Sequence, residues 1–231
     1  SYLSFKQFNI FCRNYNIEDE IQANDNESIL SQSGYSIDMF VEIMEKYIYI
    51  ALFAPLVGSL VAALFSMRKK TAFTGWFTSF MLAVSMFASL KLLHFVYTTD
   101  TVLNVILFQW IETGSLEIPF GFVVDQVSVV MMSVVTVVST MVHIHSIGYM
   151  EHDKGFNRYF SYLSAFVFSM LVLVMSDNFA VLFIGWEGVG VCSWLLIGFW
   201  YHKESASWAA NEAFIMNRVG DLGLLLGMFL L

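Results

Sequence analysis

Apolar residues gather in this chain into six blocks of 17 to 27 residues, separated by links that are mostly short and polar. A bilayer core about 30 Å thick is crossed by about 20 helical residues at about 1.5 Å each. The pattern therefore predicts six transmembrane helices, at about 47–67, 71–97, 125–145, 159–175, 179–201 and 207–231. One link is long. Residues 98–124, TTDTVLNVILFQWIETGSLEIPFGFVV, alternate in places, hold Pro119 and several β-branched residues, and end in a Gly-rich turn. They predict a small β-hairpin outside the lipid between the second and third helices, with a re-entrant segment as the alternative. The fold class expected is an all-α membrane protein carrying an extracytoplasmic hairpin.

Composition agrees with lipid as the solvent. Of 231 residues, 58% are hydrophobic and 13% charged, against about 25% charged in a soluble domain. A net charge of −8, with no basic stripe to displace counterions from phosphates, excludes a nucleic-acid surface. Cys12 and Cys192 lie far apart, which supports neither a disulfide framework nor a zinc site. No flavin, iron–sulfur or nicotinamide motif occurs, since there is neither a cysteine cluster nor a GxGxxG after a strand.

The charge is uneven. Residues 1–46 carry eight acids and three bases, and include the polar stretch NDNESILSQSG. They are expected to form an acidic N-terminal extension, poorly ordered and without chemistry of its own, while residues 47–231 form the membrane domain. Met44 directly precedes that domain as a candidate start. With Ser1 at one end and the apolar run LLLGMFLL at the other, the chain is expected to be a piece of something longer. The six basic residues of the inter-helix links fall in alternate links: Arg68, Lys69 and Lys70, then Lys154 and Arg158, then Lys203. By the positive-inside rule those links are cytoplasmic, and the N-terminus is extracytoplasmic.

Five ionisable residues remain inside the spans: Lys91, Glu187, Glu212, Arg218 and Asp221. Each costs at least about 2.5 kcal/mol at a helix centre if it faces lipid. Lys91 and Glu212 lie near span ends, within reach of polar surroundings. Glu187 does not. Eight residues into the fifth span, it is about 12 Å deep from the outer face. Arg218, eleven residues into an antiparallel sixth span, is left about 13.5 Å from the same face of a 30 Å core. Consecutive helices joined by a short link are neighbours, so matched depth predicts a Glu187–Arg218 ion pair. Asp221, Asn217 and Asn211 share the helix face of Arg218, and Gly188, Gly190 and Cys192 thin the facing helix. Two readings of the pair stay open. It is either a static clamp on helix register or a proton-accepting acid whose charge follows its partner. His143 and His145, at the cytoplasmic end of the third span, are candidates for proton entry or amphipathic anchors at the interface.

The runs FVVDQVSVVMMSVVTVVSTMVHIHSIGYM, FNRYFSYLSAFVFSMLVLVMSDNFAVLFIGWEGVGVCSWLLIGFW and NEAFIMNRVGDLGLL resemble the large antiporter-like L subunits of respiratory complex I, over about residues 47–231. WEGVG followed by CSWLLIGFW separates the L type from its M and N paralogues and, less sharply, from Mrp-type antiporter subunits. The resemblance implies a proton-translocating subunit of NADH-quinone oxidoreductase in the bacterial inner membrane, with quinone and electron carriers bound by other subunits and no cofactor in this chain. It implies that Glu187 is an essential channel charge, with Arg218 and Asp221 of NRVGD beside it. The partners it implies are the other membrane subunits, the bilayer and protons. It also implies a later broken helix with a lysine partner for the glutamate, which this chain does not reach. The rivals are a free-standing or Mrp-type sodium/proton exchanger and a purely structural membrane scaffold.

Overall fold

The computed structural model describes residues 26–66, 72–113 and 116–230. Cys12, most of the expected N-terminal extension and the Arg68–Lys69–Lys70 link lie outside the described residues. The element order is α1 (Asn26–Ser66), α2 (Ala72–Thr99), β1 (Leu103–Thr113), β2 (Leu116–Val124), α3 (Gln126–Tyr149), α4 (Phe156–Met175), α5 (Phe179–Ile197) and α6 (Glu204–Leu230). Six helices are long and apolar enough to cross a membrane, α1 over Val41–Ser66 and α5 over its whole length among them.

The boundaries correct the sequence reading in three places. NDNESILSQSG, read as loop-like, is helical from Asn26 onward. Polarity alone does not oppose a helix, and Gly34, costing about 1 kcal/mol, is its only breaker before Pro55. The fifth span ends at Ile197 rather than 201, because Gly198 supplies the C-cap. The second helix runs to Thr99, and the hairpin starts only at Leu103. Two compact units, Ser1–Met44 and Glu45–Leu231, divide the chain two residues before the hydropathy boundary.

Within the second unit an apolar interior, including Leu82, Met132, Phe156 and Phe160, is laced with buried hydroxyls, while the outside is largely apolar, as expected when lipid is the solvent and close packing and hydrogen bonds hold helices together. Ser85 and Ser89 of α2, Ser133, Thr136, Thr140 and His143 of α3, and Ser164 of α4 are all buried. Leu64, Trp76, Phe80, Met141 and Phe229 are exposed. Many of the hydroxyls bond back to a carbonyl on their own helix, as Thr136 Oγ1 does to Met132 O at 2.8 Å. Ser85 does something different. Pro55 sits inside α1 and has no N–H for the Ala51 carbonyl four residues earlier. Ser85 Oγ donates to that carbonyl at 2.6 Å, supplying the bond that a bilayer interior requires. Ser59 and Ser161 donate to each other's carbonyls at 3.0 and 3.1 Å, fastening α1 to α4.

Gly185 lets α5 close on α4. A Cβ there would lie 2.6 Å from the backbone nitrogen of Leu173, and one at Gly188 would lie 2.7 Å from Ser169 Oγ. The antiparallel β1–β2 hairpin is in place, and its second strand leans on the α4–α5 link. Phe122 bridges to Ser176, and Asn178 Nδ2 donates to Pro119 O at 2.8 Å. The two links free of lysine and arginine thus lie together. At the other end, Trp200 Nε1 donates to Asp153 Oδ2 at 2.9 Å and Arg158 Nη2 to Phe199 O at 3.1 Å, joining the α3–α4 and α5–α6 links. α3 starts at a capping box, in which Asp125 accepts from the Ser128 N–H and Ser128 Oγ accepts from the Asp125 N–H. The Ser128 backbone N–H is the main cause holding the Asp125 carboxyl below its ordinary range.

Candidate functional site

Phe214, Arg218 and Asp221 stand at i, i+4 and i+7 on α6 and so share one face. That face meets Trp186 and Glu187 of α5. Arg218 Nη1 donates to Glu187 Oε2 and also lies 3.3 Å from Asp221 Oδ2. Trp186 Nε1 donates to Asp221 Oδ1 at 2.7 Å. The Arg218 guanidinium lies 4.4 Å from the Phe214 ring centroid, within cation–π range. Gly190 of α5 borders the guanidinium: a Cβ there would be 3.6 Å from Arg218 Nη2, an ordinary contact.

One cation is thus shared by two acids with unequal surroundings. Asp221 is buried, its side chain 7% exposed, with both oxygens engaged. Glu187 is 24% exposed, and among the described residues its Oε1 has no hydrogen-bond partner. With both acids ionised the trio carries one excess negative charge, and Glu187 Oε1 is the atom open to a proton or cation. Depth matching predicts the Glu187–Arg218 pair, and the structure contains it. It does not foresee Trp186 or Phe214. Spacing offered a signal for Phe214, four positions before Arg218, but none for the sideways rotation that brings Trp186 onto Asp221.

The two candidate histidines part company. His143 is buried, with Nδ1 2.9 Å from Ser139 O and Nε2 3.2 Å from Ser164 Oγ. A carbonyl only accepts, so Nδ1 carries the hydrogen and Nε2 accepts from the serine hydroxyl. His145 points outward and stacks on Tyr149 at 6.4 Å. Thr136, Thr140 and His143, spaced i, i+4 and i+7, form a polar stripe that picks out the inward histidine. Asn211 Oδ1 accepts from Trp194 Nε1 at 3.3 Å, while Asn217 and Glu212 are exposed, as is Lys91, which lies over the Phe87 ring at 5.4 Å. Cys192 is a buried free thiol. Among the described residues no cluster of histidine, cysteine and acids is placed to hold a metal.

The sequence intervals that carry these residues match known membrane proteins. A family model described as NADH-ubiquinone oxidoreductase (complex I), chain 5 N-terminus matches residues 110–160, and one described as NADH:quinone oxidoreductase/Mrp antiporter, TM matches residues 176–231. Together these intervals contain His143, His145, Glu187, Arg218 and Asp221. Over both intervals the chain is similar to the antiporter-like membrane subunits that these two models describe. Within that class it is similar to subunit L: the NADH-quinone oxidoreductase subunit L of Campylobacter jejuni is 54% identical over 186 residues, 80% of this chain and 30% of that protein. The chain therefore spans less than a third of that relative's length. Two solved structures share its fold. The membrane-bound sulfane sulfur reductase, an archaeal respiratory membrane complex, matches with a TM-score of 0.64 at 14% identity, covering 78% of this chain and 36% of that one. The Mrp complex from Dietzia sp. matches at 0.60 and 21% identity, covering 79% and 18%.

Proposed function

We propose that the chain is part of a proton-translocating subunit of a respiratory NADH-quinone oxidoreductase, a translocase component that handles protons while other subunits carry quinone and electron carriers. The observation that carries this reading is the shared guanidinium, which faces Glu187 on one side and Asp221, 3.3 Å away, on the other. A carboxylate in a low-dielectric site keeps its charge while a cation faces it and binds a proton when that cation withdraws. Two unit charges at about 4 Å interact by about 4 kcal/mol at an effective dielectric of 20, so the position of Arg218 between the two acids sets the field at Glu187. Asp221, steadied by Trp186, is the resting place for the guanidinium; Glu187 is the titrating acid. His143 and its hydroxyl stripe lie on the entry side, with His145 at the surface as an anchor. The N-terminus of the membrane domain is extracytoplasmic, and the basic links are cytoplasmic.

In the full-length subunit, assembled in its complex in sealed vesicles, Glu187→Gln abolishes most NADH-driven proton pumping while assembly persists. Asp221→Asn, which leaves Arg218 fixed on Glu187, lowers pumping by about tenfold or more, the kinetic equivalent of about 1.4 kcal/mol. Normal pumping in an assembled Glu187→Gln complex contradicts the reading. Sodium/proton exchange by an Mrp-type subunit is the second reading, favoured by the fold shared with the Dietzia Mrp complex. Exchange in vesicles without quinone or electron donor selects it.

A further inference from the structure

Where the α3–α4 and α5–α6 links meet, the structure forms a half-open pocket of about 560 Å³, a size suited to a small polar ligand. Lys154, Arg158, His152 and His202 line it together with one acid, Asp153. That acid is engaged in the loops, its Oδ1 accepting the Gly155 N–H at 2.6 Å and its Oδ2 the Trp200 indole at 2.9 Å. Arg158 is held rigidly: its Nη2 donates to Phe199 O, and its guanidinium lies 4.9 and 5.1 Å from the Phe199 and Tyr201 rings. No carboxylate among the described residues forms an ion pair with it, and its buried Nε has no partner. A second lining group is also unsatisfied. Asn157 is 4% exposed and donates through Nδ2 to Phe65 O at 2.8 Å, and its Oδ1, closed to solvent, has no partner among the described residues.

We infer that this pocket binds the headgroup of an anionic phospholipid, with the phosphate drawn to Lys154 and Arg158. A planar guanidinium and an ammonium suit a phosphate, and His152 and His202 complete a lining in which basic side chains outnumber the one acid. The location favours lipid over a free anion. The pocket lies at the end of the bundle where α3 and α5 finish and α4 and α6 begin. Trp200, Tyr201, Tyr149 and Trp208, 42 to 70% exposed, cluster at that end, as aromatic side chains do at the headgroup level. Basic pockets between helices at this level hold anionic headgroups.

The test uses the full-length subunit in its purified, delipidated complex, returned to phosphatidylcholine nanodiscs containing increasing phosphatidylglycerol, with retained lipid counted by native mass spectrometry. The wild type retains phosphatidylglycerol in preference to phosphatidylcholine, and millimolar inorganic phosphate does not displace it. Lys154→Gln weakens retention about fivefold and Lys154→Glu by more, with helix content and assembly unchanged. Arg158→Gln weakens it further, and if that variant fails to assemble the Lys154 pair decides alone. Equal retention by wild type and Lys154→Glu, equal retention of the two lipids, displacement by inorganic phosphate, or a protein segment filling the pocket in a map of the intact complex each overturns the inference.

Discussion

In the proposed mechanism Arg218 is the residue on which the chemistry turns, because one guanidinium serves two carboxylates of different accessibility. Its pairing with Glu187 was legible in the sequence, since antiparallel helices joined by a short link convert residue counts directly into depth. The Trp186–Asp221 hydrogen bond was not, because the rotation of α5 about its axis follows from where Gly185 and Gly188 let α4 approach, and hydropathy does not encode that. The inward turn of His143 was available from its threonine stripe, though not from its own identity. Outside the membrane, Asp125 offers a residue-scale test. Its folded carboxyl is held below the ordinary range by the Ser128 N–H, so its capping contribution is present above the unfolded pKa of about 3.9 and fades as pH falls through the lower folded value. Hydrogen exchange at the first turn of α3 should quicken over that acidic window in the wild type. In Asp125→Ala it should be faster throughout and lack that dependence, and the helix start should be weaker by about 1 kcal/mol.

At the scale of elements, helix breaks are repaired from neighbouring helices rather than avoided. Pro55 frees the Ala51 carbonyl, and Ser85 reaches across from α2 to bond it. Ser85→Ala should therefore destabilise the folded protein by about 1–3 kcal/mol, read as a lower unfolding midpoint in detergent. In a Pro55→Ala background, where the substituted residue's own N–H restores the intrahelical bond, the same change should cost much less. An equal cost in both backgrounds would rule out this link. The sequence exposes Pro55 plainly and gives no hint of its partner, because Ser85 is 30 positions away and its face of α2 is one of several bearing hydroxyls. Helix ends were legible where chemistry marks them. Gly198 stops α5, whereas continuing hydrophobicity through Phe199 and Trp200 carries a hydropathy reading four residues too far.

For the whole molecule, the alternation of basic and base-free links has a structural counterpart. β2 rests on the 176–178 link, and Trp200 and Arg158 join the two basic-side links. We propose from the lysine and arginine count that the side bearing the basic links faces the cytoplasm. In a full-length background lacking accessible native cysteines, Glu112→Cys should react with an impermeant thiol reagent in intact cells, and Lys154→Cys only in inverted vesicles; the reverse pattern would invert the topology. Six spans and the hairpin were legible because a bilayer imposes one length on every helix that crosses it. The partners of the outward faces of α5 and α6 were not, since an apolar face reads alike against lipid and against protein. The central claim is that Glu187 gains and loses a proton as the complex turns over. Infrared difference spectroscopy of the assembled full-length complex, with and without NADH and quinone, reads this directly. A protonated-carboxyl carbonyl band should appear on turnover, shift in heavy water and vanish in Glu187→Gln, whereas a band left unchanged by that substitution would contradict the account.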